Sequence, residues 1–263
     1  MTEFIQAGEV RVAFERDGDG PPLVLMHGAE ASRQMFAVLV PHLAKHFTVI
    51  AYDQRDCGET QAPERAVTLA DLAHDAQKFM RALDFKRAHV FGSSFGGRVA
   101  QALAILHPQA VDRLVLASTW PLPRLYEELC PDASRIAELR QGLPDTAEQM
   151  ATWFFPEQFL KQRPELSGVF ANARPGSARS ERRAATVAST LDKGVADIVA
   201  PTLVLAGELD RVVPASVTLA MAGRIRGADA VLLPAIGHAT ALQAPEILAQ
   251  HLVRFLHPAG VHA

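Results

Sequence analysis

The chain has 263 residues, of which 49% are hydrophobic and 21% charged, and its formal net charge is -3. This length and composition are typical of a single globular domain with one large core, so residues 1–263 are expected to form one domain. Because the net charge is slightly negative and no segment approaches the about 20 apolar residues of a membrane helix, we expect neither a nucleic-acid nor a membrane partner.

The only two cysteines, Cys57 and Cys130, lie far apart and lack the spacing of a metal site. We interpret them as free thiols in a reducing compartment, which predicts a cytoplasmic location. The first residues show no basic stretch followed by an apolar run, so they do not have the pattern of a signal peptide.

Short apolar and β-branched runs alternate along the chain with segments of helical periodicity. The predicted strands are residues 4–6, 11–15, 23–26, 48–52, 88–91, 113–117, 202–206 and 230–233. The first two are expected to form an antiparallel hairpin that turns at Gly8 and Glu9. Several later strands are almost entirely apolar, as strands buried on both faces are. The alternation therefore predicts an α/β fold with a mostly parallel sheet flanked by helices.

Helical periodicity is clear over residues 69–83, 96–106, 215–225 and 245–256. Thr68 is the expected N-cap of the first helix, because Asp71 follows at the spacing of a capping box. Since these segments alternate with strands, the helices are expected to pack on the two faces of the sheet.

The alternation of strands and helices stops between residues 120 and 195. This segment is rich in proline and contains an aromatic cluster that includes Trp153 and Phe154. Because proline delimits short helices, we predict a helical cap at 120–195, inserted in the domain and lying over the C-terminal edge of the sheet. Trp120, Trp153 and Phe154 are the candidate substrate-binding residues. The alternative is that these aromatic side chains only pack the cap against the main body.

A G-x-S-x-G sequence at 92–96 lies between a predicted buried strand and a predicted helix. In that context it is the pattern of a nucleophile elbow, a strained turn that directs a serine hydroxyl into the cleft above the sheet. Ser93 does not fit, because the positions two before and two after it are Phe91 and Phe95 and not small residues. Ser94 is therefore the candidate nucleophile. The alternative is a tight turn without a catalytic role.

Two backbone N–H groups are candidates for an oxyanion hole. Phe95 begins the helix after Ser94, where an N–H has no partner within the helix and lies at the positive end of its dipole. Ala29 follows His27 and Gly28 at the end of an earlier buried strand, so its N–H can face the nucleophile. His27 itself is expected to hold this loop through hydrogen bonds and not to transfer protons.

A serine hydroxyl needs a base, and among the ten histidines His238 is the best candidate. It follows a predicted buried strand in a loop at the sheet edge, and its alternative is an ordinary surface-loop histidine. Asp210 lies just beyond another strand and its turn, where a carboxylate can orient the imidazole. Glu208 is the reserve candidate for this acid, and a turn cap is the alternative role of Asp210. The order Ser, Asp, His along the chain is the one expected with a nucleophile elbow on such a sheet.

Five segments together resemble the α/β-hydrolase superfamily, specifically its cap-bearing serine esterase, lactonase and perhydrolase branch. They are His27-Gly28, residues 53–58, residues 92–97, residues 207–214 and Gly237-His238, in the same order. The resemblance covers nearly the whole chain. It implies an eight-stranded, mostly parallel sheet, the triad Ser94, Asp210 and His238, and the oxyanion donors Ala29 and Phe95.

The sequence also departs from the pattern of this superfamily. The loop after the fourth strand commonly reads Asp-x-Arg-Gly-x-Gly-x-Ser, whereas this chain has Asp56 in place of the first glycine and Thr60 in place of the serine. Within this loop, Asp53 and Arg55 are expected to pair with each other or with neighbouring backbone. Ala29 is smaller than the aromatic residue often found beside the oxyanion hole, so a roomier acyl pocket is expected.

These residues predict a serine hydrolase that cleaves a carboxylic ester or lactone of a small, partly apolar molecule through an acyl-enzyme on Ser94. Perhydrolase-like members usually carry methionine after the nucleophile, and Phe95 argues against that activity. No cofactor and no metal are expected, and a homodimer is left open. Two alternatives stay open: a C–C bond hydrolase of a vinylogous diketone with the same triad, and a ligand receptor that hydrolyses slowly.

One basic stretch interrupts the balanced charge and consists of Arg174, Arg179, Arg182 and Arg183. We interpret it as a solvated helix face interrupted by Glu181. Glu30, just past the oxyanion loop, is likewise expected to be exposed to solvent. For both, contact with polar groups of a substrate is the alternative.

Overall fold

The computed structural model describes residues 1–29, 31–173 and 175–257, and the predictions for Glu30 and Arg174 lie outside the described residues. The strands are β1 Glu3–Ala7, β2 Val10–Asp17, β3 Pro22–Met26, β4 Thr48–Tyr52, β5 Ala88–Ser93, β6 Val111–Ala117, β7 Thr202–Gly207 and β8 Asp229–Leu233. Within the described ranges they form one eight-stranded sheet in the order β1-β2-β4-β3-β5-β6-β7-β8. β2 is antiparallel to β1 and β4, and the other neighbours are parallel. The predicted α/β fold with a mostly parallel, eight-stranded sheet is confirmed.

Helices cover both faces of this sheet. They are α1 Val40–Leu43, α2 Leu69–Ala82, α3 Phe95–Leu106, α4 Tyr126–Leu129, α5 Ala133–Gln141, α6 Ala147–Phe154, α7 Glu157–Gln162, α8 Ala178–Val187, α9 Ala215–Leu219, α10 Thr240–Gln243 and α11 Pro245–Leu256. Successive side chains of a strand point to opposite faces. In β5, Val90 accordingly packs in one hydrophobic cluster with Phe79 of α2 and Leu103 of α3. Phe91 packs in a second cluster with Leu252 of α11, so the central strand is buried on both faces.

Most predicted helices are observed to within one residue, and one is shorter than predicted. Thr68 caps α2 through the predicted capping box, in which its N–H donates to the Asp71 carboxylate at 2.8 Å and its hydroxyl accepts from the Asp71 N–H at 3.3 Å. The predicted helix at 215–225 was wrong beyond Leu219, where α9 ends. The chain continues in turns, with the Arg224 N–H donating to the Met221 carbonyl at 2.9 Å. That bond spans three residues, as in tighter turns than the α-helix.

Between β6 and β7 the chain forms α4 to α8, within the segment predicted as a cap. Both ends of this insertion are attached to α3 through Arg98, whose side chain is fully buried. Its guanidinium donates to the carbonyls of Pro121 at 3.1 Å and Arg124 at 2.8 Å, where the insertion begins. It also donates to the carbonyl of Ser189 at 3.3 Å, where the insertion ends. A single buried cation therefore joins the two ends of the insertion to the sheet domain.

Asp53 and Arg55 do not pair with each other. The Asp53 side chain is fully buried, forms an ion pair with Arg33, and accepts the backbone N–H groups of Arg33 and Glu59 at 2.8 Å each. Arg55 donates to the Asp75 carboxylate at 2.7 and 3.1 Å. The expected mutual pairing was wrong because both charged partners come from distant segments that only folding brings to this loop. The hydrogen bond from the Glu59 N–H to Asp53 matches the other expectation, that neighbouring backbone would pair with this side chain.

Cys57 and Cys130 are both buried free thiols, as predicted. Among the described residues, no helix is both long enough and apolar enough to span a bilayer. The cytoplasmic location inferred from the cysteines stays a prediction.

Candidate active site

Ser94 lies at the turn between β5 and α3, where its backbone adopts φ 55° and ψ −125°. A positive φ is strained for a residue with a side chain and persists where the surrounding structure enforces it. The Ser94 N–H donates to the Ala117 carbonyl at 2.9 Å, and the Gly97 N–H donates to the Ser94 carbonyl at 2.9 Å. The turn also needs a glycine, because a Cβ on Gly96 would lie 2.1 Å from the Met26 carbonyl oxygen. This local geometry is the one expected of a nucleophile elbow.

Asp210 and His238 form a buried pair whose side chains are 0% and 3% exposed. His238 Nδ1 lies 2.9 Å from Asp210 Oδ2 and 3.0 Å from Oδ1. Asp210 Oδ1 also accepts the backbone N–H groups of Val212 and Val213, each at 2.9 Å. Since an ionised carboxylate only accepts hydrogen bonds, His238 Nδ1 carries a proton. In the neutral ring Nε2 is then left as the proton acceptor.

The other ring nitrogen of His238, Nε2, is the atom that could take a proton from the candidate nucleophile. Ser94 and His238 both line one shared cavity. His238 Nε2 is buried and has no hydrogen-bond partner within the described parts of the chain, the Ser94 hydroxyl included. Such hydrogen bonds are often long before substrate binds. Glu208 lies apart from this arrangement, since it is exposed and accepts the Ala235 N–H at 3.0 Å.

His27 holds the loop that follows β3. Its Nδ1 lies 2.8 Å from the Gly28 carbonyl and must donate, whereas its Nε2 accepts the Gln54 N–H at 3.2 Å. The ring is therefore neutral, with its proton on Nδ1. Burial, followed by the positive charge of Arg183, lowers the pKa of His27 to about 4. These contacts fit the expected role of His27 in holding the loop.

The candidate oxyanion donors lie beside Ser94. A Cβ on Gly28 would be 3.4 Å from the Ser94 Cβ, so the loop that contains Ala29 passes directly next to the nucleophile. Ala29 also lines the cavity. Phe95 is the first residue of α3, so its N–H has no acceptor within the helix. One donor is thus adjacent to Ser94 in sequence and the other is adjacent in space.

The shared cavity has a volume of about 600 Å³ and lies between the sheet and the inserted helices. Its apolar lining includes Met35, Phe154, Phe155, Phe170 and Leu242. Among the described residues, no group of three or more His, Cys, Asp or Glu side chains could hold a metal ion. The cavity can therefore accept a small, largely apolar ligand next to the candidate nucleophile.

The three predicted substrate-binding residues lie in different places. Phe154 lines the cavity, and its ring packs edge-on against His238 with a centroid separation of 5.0 Å and an angle of 88°. Trp120 is buried at the start of the insertion, where its ring centroid lies 5.2 Å from that of Tyr126. Trp153 stacks under the guanidinium of Arg211 at 4.3 Å. Neither tryptophan is among the described residues that line the cavity.

Arg183 contacts the loop of the candidate site, and the sequence analysis misplaced it. It is only 6% exposed, which contradicts its interpretation as part of a solvated helix face. Its Nε donates to the Ala29 carbonyl at 3.3 Å. The prediction failed because arginine is seldom fully buried. Arg183 and Thr186 are three residues apart and share the buried face of α8. This helical spacing is the sequence signal that could have indicated that Arg183 is buried.

A sequence model described as alpha/beta hydrolase fold matches residues 21–245. RutD of Caulobacter sp. (strain K31), provisionally named a carbamate hydrolase, is 28% identical to this chain, and the match covers 96% of this chain and 98% of that protein. A solved hydrolase from Pseudomonas aeruginosa PA01 is 31% identical, with a TM-score of 0.81 over 97% of this chain and 98% of the other. A thermophilic esterase from Thermogutta terrifontis is 27% identical, with a TM-score of 0.79 over 97% of this chain and 98% of the other.

Proposed function

Because the chain belongs to the alpha/beta hydrolase fold family, we propose that it is a serine hydrolase that cleaves a carboxylic ester or lactone of a small, partly apolar molecule through an acyl-enzyme on Ser94. The observation that carries this proposal is the buried Asp210–His238 pair at the cavity that Ser94 also lines, in which His238 Nε2 has no partner among the described residues. A buried, unpaired acceptor is costly unless another group uses it. A serine proton is the use that fits this position.

The first step of the proposed reaction forms the acyl-enzyme. Ser94 Oγ attacks the carbonyl carbon while His238 Nε2 takes its proton, and Asp210 stabilises the resulting imidazolium. The carbonyl oxygen becomes an oxyanion that accepts the N–H groups of Ala29 and Phe95. The C–O bond to the leaving group then breaks, and the imidazolium protonates the departing oxygen.

The second step releases the acid product. His238 removes a proton from a water molecule, whose oxygen attacks the acyl carbon and forms a second oxyanion in the same hole. Collapse of this intermediate breaks the bond to Ser94 Oγ, and the imidazolium returns the proton to it. The products are a carboxylic acid and an alcohol, or a hydroxy acid from a lactone.

A carbamate is the second candidate substrate, because the likeness to the provisionally named carbamate hydrolase extends over 96% of this chain. The same attack by Ser94 on a carbamate would form a carbamoyl-enzyme. The C–C hydrolase alternative uses the same three side chains but breaks a C–C bond, so the vinylogous ketone must take up the electron pair of the departing carbon, which is then protonated. The site geometry supports all three reactions, so substrate selection is the question for experiment.

The nucleophile is tested by comparing Ser94→Ala with Ser93→Ala. We expect Ser94→Ala to lower turnover of a small p-nitrophenyl ester by about four to six orders of magnitude and to abolish labelling by a fluorophosphonate probe. Ser93→Ala, the matched control on the adjacent residue, should still be labelled. Activity of Ser94→Ala within about tenfold of the parent would remove Ser94 from the mechanism.

The reaction class is tested with a panel of an aryl ester, a lactone, an aryl carbamate and a dienoate with a vinylogous ketone. We expect the highest kcat/KM for the ester or the lactone. A higher value for the carbamate or the dienoate would replace the proposed substrate class while leaving the nucleophile in place. If Ser94 is labelled by the probe but the protein completes only one turnover on every substrate, the result would instead favour a ligand receptor that hydrolyses slowly.

A further inference from the structure

Helix α8 of the insertion places one side chain against both halves of the candidate oxyanion hole. Arg183 Nε donates to the Ala29 carbonyl at 3.3 Å. The carbon of the same guanidinium lies 4.7 Å from the centroid of the Phe95 ring. Ala29 and Phe95 are the two residues whose N–H groups are the candidate donors. Arg183 thus links the two donor residues, which lie on different segments of the sheet domain.

The surroundings of Arg183 are unusual for a purely structural arginine. The residue is 6% exposed, and its Nη1 and Nη2 atoms have no hydrogen-bond partner within the described ranges. Burying a charge with so few partners is unfavourable, and an apolar side chain of similar volume would fill such a space at lower cost. The retained positive charge lies next to Ala29 and Phe95, the two residues whose N–H groups are the candidate oxyanion donors. A positive charge near a developing oxyanion stabilises it through space.

The neighbouring residues of α8 hold Arg183 in place. Arg182 donates to Asp56 Oδ1 from Nε at 3.2 Å and from Nη2 at 2.9 Å. Asp56 has a φ of 60°, at the loop position where the resembling family commonly has glycine. The hydroxyl of Thr186 donates to the Val67 carbonyl at 3.2 Å. The helix is therefore attached to the sheet domain on either side of Arg183, and its guanidinium has little freedom to move.

We propose that Arg183 is a positioning residue of the oxyanion hole, which orients the Ala29 backbone and the Phe95 ring and adds positive charge beside the two donors. The inference rests on the proposed serine hydrolase function. It predicts that the inserted helices contribute to stabilising the transition state as well as to enclosing the substrate. Loss of Arg183 should then lower kcat, whereas a merely structural role would weaken folding or substrate binding.

The test compares Arg183→Met with Arg179→Met, the matched control. Arg179 lies on the same helix and donates to the Thr60 carbonyl at 3.2 Å without contacting either donor residue. For p-nitrophenyl butyrate we expect Arg183→Met to lower kcat about 30- to 100-fold and to change KM less than about threefold. Arg179→Met should change kcat by less than about threefold. Thermal melts followed by circular dichroism check that each variant is folded.

An aryl trifluoromethyl ketone gives a second readout, because the serine adduct carries a tetrahedral oxyanion. Its affinity for Arg183→Met should fall by about the same factor of 30 to 100, since it resembles the transition state. Arg183→Lys should recover part of the loss, because the ammonium keeps the charge near the ring but lacks the planar fork.

Parental kcat and parental ketone affinity in a folded Arg183→Met would overturn the inference. Equal losses in Arg183→Met and Arg179→Met would also overturn it, since only attachment of α8 would then matter. If Arg183→Met does not fold, unchanged kcat and unchanged ketone affinity in Arg183→Lys refute the positioning role, and reduced values with constant KM support it. Failure of the proposed function is recognised separately: the parent then shows no Ser94-dependent hydrolysis or fluorophosphonate labelling, and the positioning role is refuted with it.

Discussion

Replacing Asp210 by asparagine removes the negative charge of the carboxylate and one of its two acceptor oxygens, while the size of the side chain stays the same. Two backbone N–H groups, from Val212 and Val213, donate to Asp210 Oδ1 at 2.9 Å each. In Asp210→Asn the single carbonyl oxygen must stay at this position, so the amide NH₂ takes the place of Oδ2, 2.9 Å from His238 Nδ1. His238 Nδ1 then lies 2.9 Å from the amide NH₂ and 3.0 Å from the carbonyl oxygen, and accepting a hydrogen bond from the NH₂ moves the ring proton to Nε2. In that tautomer His238 cannot take the proton of Ser94.

The size of the effect follows from the cost of the opposite amide orientation. Turning the NH₂ toward Val212 and Val213 would leave buried donors facing each other, at about 1–3 kcal/mol for each unsatisfied group. Two such groups disfavour the productive tautomer by roughly 2–6 kcal/mol, or about 1.5 to 4.5 powers of ten. Loss of the carboxylate charge beside the imidazolium adds to this. We therefore expect kcat for an aryl ester to fall about 10,000-fold at neutral pH, with little change in KM.

Stopped-flow or steady-state hydrolysis of p-nitrophenyl acetate measures this loss, and Glu208→Gln is the matched control. Glu208 is exposed and bonded to the Ala235 N–H, so its substitution should change kcat by less than about threefold. A larger loss in Glu208→Gln than in Asp210→Asn would identify Glu208 as the orienting acid. A loss of less than about tenfold in a folded Asp210→Asn would refute the tautomer argument.

Two further predictions concern stability. The pKa of His27 is about 4 in the folded chain, against 6.5 for an unperturbed histidine. The unfolded chain therefore binds more protons between these values, and stability present above pH 6.5 is lost as the pH falls toward 4, by about 3 kcal/mol. Urea unfolding at several pH values checks this against His27→Gln, which should show a shallower pH dependence; equal slopes in parent and variant would contradict it. Arg98→Met removes the cation that joins both ends of the insertion, and we expect a loss of about 3 kcal/mol together with faster proteolysis within residues 120–195. Parental protease resistance would show that other contacts attach the insertion.

The strands and helices of this chain could be predicted from local sequence patterns, because strand and helix formation depends on residues that are close together in the sequence. The buried strand β5 was predicted from its apolar run, and the start of α2 from the spacing of Thr68 and Asp71. The fold class followed from the order of such elements. The candidate nucleophile was predicted in the same way, since the small residues around Ser94 are needed by the turn itself.

Other features could not be read from the sequence, because a residue's surroundings come from distant parts of the chain. Arg55 pairs with Asp75 and not with Asp53, because the sheet topology brings α2 to the loop after β4. Trp153 lies against Arg211 and away from the cavity, whereas its neighbour Phe154 lines it. Adjacent residues of a helix point in different directions, so the choice between them depends on how the helix is docked.

The sequence by itself determined the strands and most of the helices outside residues 120–195, where the strained turn at Ser94 lies, and which residue types could complete a triad, because these depend on spacing and local backbone preference. Tertiary structure alone decided that the Asp210 carboxylate meets His238 Nδ1 and that Arg183 reaches Ala29. These contacts join residues 28 and 154 positions apart. Local propensity carries no information on such separations, and only the packing of helices against the sheet sets them.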